Sequence, residues 1–390
     1  MSSERQLPDG WQLYRFDQIA QNINERVLPA DAEGLPYVGL EHLDSESLKI
    51  RRWGTPDEVE AQKLRFYPGD IIFGKRRFYQ RKLAVAEVEG ICSAHAMVLR
   101  ARIEVVDPAF LPFFMQSEMF FERAMAISVG SLSPTINWTA LARQEFPLPP
   151  LDEQRRIAEI LWAVEEAIEN WLSSLDALLI CRSRILAKGI LKQGNEKTDN
   201  IADVVLDVQY GSSVAAFDDG QFPILRIPNV VNGKIDLSDL KWVNLPQTEH
   251  ERYVLQTDDV LLVRTNGNPD YVGRAAVIDA HVPKDTVFAS YLIRLKVNTE
   301  RIRSHFLAEI INSPQFRRAI RGEIKSSAGN YNLNTKGIKR QVIIVPPLEA
   351  QDAILRQLDL LDRQYISVEE NTTTLRQMKK RLFEAFIGET

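Results

Sequence analysis

The chain has 390 residues, 45% of them apolar, and its 48 Lys and Arg against 53 Asp and Glu leave a net charge of −5. That length supplies two or three domains with cores of their own. The composition excludes collagen, low-complexity disorder and a disulfide-stapled secreted scaffold, since Cys92 and Cys181 are the only cysteines, and the mild negative charge argues against indiscriminate coating of DNA without excluding local basic surfaces.

Residues 1–17 contain no apolar signal core, so export is not expected. Short apolar runs at 71–73, 83–86 and 96–99 are flanked by Gly, Asp or Pro and predict strands. Between the first two lies Lys75-Arg-Arg-Phe-Tyr-Gln-Arg-Lys82, with five cations, two aromatics and no acid. It reads as an exposed inter-strand loop in which Lys75, Arg76, Arg77, Arg81 and Lys82 could neutralise phosphates or bond guanine, with Tyr79 beside them. A solvated charged hairpin is the plainer alternative. Residues 112–126 predict a helix. The uncharged run 124–142 is too polar for a membrane span, and Ser131 and Ser133 mark a polar loop within it.

A long helix is predicted next. Pro149-Pro150 sets its start, and Asp152 and Glu153 fall in the first turn, where the helix dipole favours acids. Ile157, Leu161, Val164, Ile168, Trp171, Leu175 and Leu178 recur at alternating spacings of four and three, the signature of a coiled-coil seam. A polar linker at 194–200 follows.

The pattern then returns. Strands are predicted at 260–263, 275–278 and 291–295, and a helix at 301–311. The loop Arg264-Thr-Asn-Gly-Asn-Pro-Asp-Tyr-Val-Gly-Arg274 takes the place of the basic one. Its Arg264, Asn266, Asn268, Tyr271 and Arg274 suit adenine as well as guanine. A second polar loop carries Lys325, Asn330 and Tyr331, and a second long helix carries Ile354, Leu358, Leu361, Tyr365, Val368 and Leu375 along its seam.

The return is a repeat. Asn137, Arg143, Gln144, Pro149, Pro150, Leu151 and Gln154 match Asn334, Arg340, Gln341, Pro346, Pro347, Leu348 and Gln351 at one offset. Tandem halves, each a globular unit plus a long helix, predict a pseudo-twofold molecule of α+β class, with two mixed globular units and two long helices packed as an antiparallel coiled coil. Two similar reading heads suit a ligand that repeats along an axis, and duplex DNA is the candidate.

Catalytic signatures are missing. There is no nucleotide-hydrolysing Gly-rich loop and no dinucleotide or methyl-donor fingerprint. Asn268-Pro269-Asp270-Tyr271 departs from the amino-methyltransferase motif at its third position, and Glu323-Ile-Lys325 lacks the upstream acid a nuclease needs. The five histidines are scattered, so no metal site is expected.

The doubled Pro-Pro-Leu-x-x-Gln block with its long helix, and an Asn thirteen residues before the second Pro each time, resembles the specificity subunit of type I restriction-modification systems across essentially the whole chain. The resemblance implies a target-recognition domain at 1–150, a helical region at 151–195, a second target-recognition domain at 196–347 and a second helical region at 348–390. It implies a cytoplasmic, non-catalytic subunit that reads a bipartite double-stranded DNA target. The helices would serve as ruler and docking surface for two methyltransferase subunits. The chain would hold no cofactor of its own, with S-adenosylmethionine and ATP/Mg on methyltransferase and restriction subunits. Other readings are an orphan DNA-binding or coiled-coil scaffold protein and, further off, a stand-alone methyltransferase or nuclease. Two departures stand out: Glu349-Ala350 replaces Asp152-Glu153, and Thr372, flanked by Thr373 and Thr374, interrupts the second seam, which predicts a weaker second helix.

Overall fold

A computed structural model describes residues 7–387 except 46, 131, 191–197, 232 and 328. Most of the linker expected at 194–200 lies outside the described residues. The chain forms two compact units, 1–174 with 368–390 and 175–367, so each unit combines one head with a stretch of both long helices.

Each head is built on a four-stranded antiparallel sheet. In the first, the order is Ala20–Ile23, Ala96–Ala101, Ile71–Gly74, Leu83–Val85; in the second, Val205–Tyr210, Leu292–Val297, Asp259–Val263, Ala275–Val277. The order is the same in both. Ile71–Gly74 and Asp259–Val263 are buried at every position, as apolar runs covered on both faces must be. A smaller sheet flanks each: Arg26–Val27, Lys63–Phe66, Gly90–Cys92 and Tyr37–Val38 in the first head, Lys241–Val243, Phe222–Leu225 and Val287–Phe288 in the second. The first core is aromatic, with Phe146 against Phe16, Phe114 and Phe120 at centroid distances of 5.8, 5.4 and 5.7 Å. The second is aliphatic, built on Val260, Leu262, Ile293, Leu307 and Ile311.

The helix expected over 112–126 is two helices, Leu111–Phe114 and Glu118–Ala126. Ser117 divides them because its hydroxyl accepts from Phe120 N at 3.1 Å and caps the second. Ser313 does the same for Pro314–Ile320, accepting from Phe316 N at 3.2 Å.

A two-stranded ribbon closes each head on itself, Gln12–Arg15 with Glu145–Leu148 and Thr198–Asn200 with Val342–Ile344. Beside the ribbons, Phe16 N donates to Gln144 O at 2.8 Å and Ile201 N to Gln341 O at 2.9 Å. The repeated glutamines are therefore fixed to where the chain enters and leaves each head.

The long helices run Leu151–Ile190 and Leu348–Ile387. Gln154 and Gln351 are buried at their starts. Gln154 Nε2 donates to Pro149 O (2.8 Å) and Val105 O (3.2 Å), and its Oε1 accepts from Asp107 N (2.8 Å). Gln351 repeats all three bonds with Pro346 O, Arg301 O and Arg303 N at 2.7, 3.1 and 2.8 Å. One amide satisfies donors and acceptors on a loop of the head and on the chain just before the helix, which explains why Gln ends the repeated motif.

Within each unit the helix segments run antiparallel. In the first, Arg156 stacks on Phe386 and Lys379 Nζ donates to Glu165 at 2.7 Å. In the second, Arg182 meets Asp362 at 2.7 Å, and a Cβ on Gly189 would fall 2.5 Å from Ile354 Cδ1. Ile157, Leu161, Ile168 and Leu358 are buried; Val164, Leu175, Leu178, Ile354, Leu361, Tyr365, Val368 and Leu375 are half-buried. Glu165 and Asp362 occupy equivalent repeat positions, as do Lys379 and Arg182, so the two ion pairs are one contact used twice. Arg182 also bonds Glu309 at 2.7 Å. Thr372 is buried in the seam, and its hydroxyl bonds back to Val368 O at 2.8 Å; Thr373 and Thr374 do likewise to Glu369 and Glu370.

Gln154→Ala and Gln351→Ala should each cost about 1–3 kcal/mol in urea unfolding, because each leaves a backbone N–H of the head without its partner. The twin ion pairs should behave unequally. The Glu165 side chain is 1% exposed and also accepts from Leu48 N, so Lys379→Met strands a buried carboxylate and should cost about 3–5 kcal/mol. The Asp362 and Glu309 side chains are 47% and 26% exposed, so Arg182→Met leaves both partners partly solvated and should cost about 1–2 kcal/mol. Equal losses in the same unfolding assay would contradict this.

Candidate nucleic-acid interface

In the first head, the basic loop leaves strand Ile71–Gly74 and turns through a short 3-10 helix, Phe78–Gln80. Arg77 and Arg81 flank that turn, both with φ of 52° in the left-handed region. Phe78 anchors it, buried and stacked on Phe121 at 6.4 Å. The five cations consequently have different surroundings. Arg76 and Arg77 are exposed, as is Tyr79. Lys75 is half-buried, and desolvation with Arg26 nearby pushes its ammonium pKa down. Lys82 Nζ donates to Leu40 O at 2.7 Å. Arg81 forms a two-pronged pair with Glu118, both bonds 2.6 Å, over the Phe121 ring at 4.4 Å. That hydrogen bonding holds the Glu118 carboxyl below its ordinary range.

A second loop lies against the first. Arg76 bridges Thr135, Arg77 N donates to Pro134 O at 2.9 Å, and Ile136 N donates to Lys75 O at 3.0 Å. Ser133 Oγ accepts from Arg77 Nε at 3.4 Å. Ser131 lies outside the described residues. Leu132, which the sequence did not single out, is 93% exposed on this loop, next to Ser133. His95 stands 3.2 Å from Arg76. Desolvation and then the nearby cations push its pKa down, which favours the neutral ring, and it sits exposed in the turn before strand Ala96–Ala101.

The second head makes the same juxtaposition with other residues. Leu333 N donates to Arg264 O at 2.9 Å, the counterpart of the Ile136–Lys75 bond. Thr265–Asn266 pairs with Asn330–Asn332, which pairs with Lys325–Ser327. Asn266 Oδ1 accepts from Asn268 N (2.8 Å) and Asn268 Oδ1 from Asp270 N (2.9 Å). These two turns occupy the carbonyl oxygens and leave the amide NH2 groups as the free ends. Arg264 is held inward, 4.4 Å over the Tyr210 ring with a bond to Ser290 O at 3.1 Å. Arg274 lies 3.6 Å over the half-exposed Tyr271. Lys325 and Asn330 are exposed and Tyr331 is half-buried. Tyr331 lines a cavity of about 550 Å3 with Pro269, Asp270, Arg317, Arg321 and Ile324. Arg317 and Arg321 come from a helical segment that sequence reading passed over; its signal was the serine cap repeated from Ser117 to Ser313.

A cavity of about 1330 Å3 elsewhere in the first head is lined by Leu28, Trp53 and Val88 among others, with Glu33, Asp57, Glu60, Glu87 and Glu89 and no lysine or arginine. Its charge is wrong for a phosphate backbone. Among the described residues no cluster of His, Cys, Asp or Glu is placed to hold a metal ion, and no helix is long and apolar enough to cross a membrane. Cys92 is buried, its thiol pKa pushed up to about 12 by desolvation, and Cys181 is exposed.

Comparison with known proteins returns the same doubling. The family model for the type I restriction modification DNA specificity domain matches residues 8–174 and again 212–375. The chain is 23% identical to the type I restriction enzyme EcoKI specificity subunit of Escherichia coli K12, over 92% of this chain and 83% of that protein. It is 24% identical to the StySPI specificity subunit of Salmonella potsdam, over 91% and 82%. Among solved structures, the type I restriction-modification S subunit from M. genitalium superposes with a TM-score of 0.56 at 14% identity, covering both chains fully (100% of each). A chain from a type I R-M system structure concerned with complex assembly and conformational transition gives 0.58 at 20% identity, over 99% and 98%. At these identities the solved structures speak to the fold.

Proposed function

The chain belongs to the type I restriction modification DNA specificity family, and we propose on that footing which of its surfaces carry the family's work. It is the DNA-recognition subunit of a type I restriction-modification complex: it reads a bipartite DNA target and assembles with methyltransferase and restriction subunits. The observation that carries the reading is that one frame is built twice with different loop chemistry. Arg76, Arg77 and Tyr79, with Ser133 alongside, form the reading surface of the first head. Asn266, Asn268, Tyr271, Arg274, Lys325, Asn330 and Tyr331 form that of the second. Exposed guanidinium groups favour the paired acceptors of guanine, and side-chain amides favour adenine, so the two heads read unlike half-sites.

Neither head is strongly basic, with 17 basic against 20 acidic residues in 1–150 and 19 against 18 in 196–347. Tight binding at physiological salt therefore needs the methyltransferase subunits to enclose the duplex. The chain itself carries out no chemistry. S-adenosylmethionine enters with the methyltransferase subunits, and ATP with Mg enters with the restriction subunits, all within the cytoplasm.

Mapping adenine methylation across the host genome with this gene present and deleted tests the reading: one split methylated motif should vanish on deletion, and an unchanged methylation map would refute it. Within the assembled enzyme, Arg76→Ala or Arg77→Ala should weaken recognition by about 1–3 kcal/mol at one half-site only, read from methylation rates on single-base target variants. Equal loss at both half-sites would identify these residues as general phosphate contacts.

A further inference from the structure

The two recognition loops are held from beneath by one contact with its partners exchanged. Strand pairing makes Arg81 and Gly273 equivalent: each lies two residues before the strand that begins at Leu83 or Ala275. Both have left-handed backbone, with φ of 52° and 82°. The serine caps make Phe121 and Arg317 equivalent, each four residues after its serine, on helices Glu118–Ala126 and Pro314–Ile320. In the first head the arginine is on the loop. Arg81 lies on the Phe121 ring and forks onto Glu118 of the helix. In the second head the arginine is on the helix. Arg317 reaches up to the loop and donates to the backbone oxygens of Val272 and Asp270, the latter at 2.7 Å.

Gly273 makes room for that reach. A Cβ at this position would fall 2.7 Å from Arg317 Nη1. The loop therefore needs glycine twice over, for its positive φ and for the guanidinium against its backbone. The two carbonyls gripped by Arg317 belong to residues 270 and 272, on either side of Tyr271, on which Arg274 is stacked. The grip therefore fixes the direction of the reading side chains without using them.

We propose that Arg81 and Arg317 are positioning residues that set half-site specificity, each bracing the recognition loop of its own head and neither reading a base. This rests on the DNA-recognition reading above and takes Arg81 out of the set of direct DNA contacts.

Lysine keeps the charge of arginine but not its planar fork, so Arg81→Lys and Arg317→Lys separate bracing from phosphate binding. In the assembled methyltransferase, each should lower discrimination between the target and single-base variants tenfold or more at its own half-site. The other half-site and the salt dependence of DNA binding should not change. Gly273→Ala displaces the same guanidinium from the opposite side and should reproduce the Arg317→Lys result. Hydrogen exchange on the intact chain supplies a measurement independent of assembly: in Arg317→Lys, amides of 270–273 should exchange faster while those of Asp259–Val263 hold. Undiminished discrimination in both lysine variants, or unaltered loop exchange, would overturn the brace. So would a uniform loss of affinity across sequences with the salt slope reduced by about one ion, the mark of a lost phosphate contact. A wild-type assembly that methylates with no half-site preference would sink the recognition reading itself, and the brace with it; intact wild-type preference with failed variants sinks the brace alone.

Discussion

Everything in this molecule hangs on a buried carboxamide. A head that reads DNA is useful only if its loops are rigid with respect to the helix that carries it. Polar main-chain groups at the junction cannot be left unsatisfied in the interior. Gln154 and Gln351 solve both problems with one side chain. The NH2 group takes two carbonyls and the oxygen takes an N–H, joining a loop of the head to the Pro-Pro segment that starts the helix. An apolar residue would leave three main-chain groups unpaired. A carboxylate would accept from the N–H but repel the two carbonyls.

Around that junction the frame is duplicated down to single bonds. Sheet order, ribbon, serine cap, glutamine network and interhelical ion pair all recur. The surfaces differ. One loop pair offers exposed guanidinium groups and an exposed leucine, the other amides and a stacked Arg–Tyr pair. On the function proposed above, a fixed frame with variable loops suits one architecture to two unlike half-sites, because base readout depends on a few side-chain ends whereas their placement depends on the frame.

The helix seam shows the same economy. It is half-buried along much of its length and includes an ion pair and a threonine, so it is less oily than a heptad reading alone suggests. The ion pairs fix register, since a slip of either helix would leave Glu165 buried without its cation. At the two departures of the second repeat, Thr372 fills a buried position while bonding its own helix, and Gln351 keeps its full network although Glu349-Ala350 replaces Asp152-Glu153.

The sequence by itself determined the doubling, three of the four strands of each central sheet, both long helices and the place of the paired polar loops. Those features are written in local periodicity, Pro and Gly punctuation and a repeat long enough to align. It could not divide the cations of 75–82, because neighbours in sequence look alike until the fold decides their partners. Only tertiary structure paired Arg81 with Glu118 and Lys82 with the Leu40 carbonyl and left Arg76 and Arg77 exposed. Likewise it alone matched Gly273 to Arg317, residues 44 positions apart whose chemistry becomes legible when a helix and a loop are brought within hydrogen-bonding distance. Periodicity reports which face of an element is buried; it carries no information about which distant partner that face will meet.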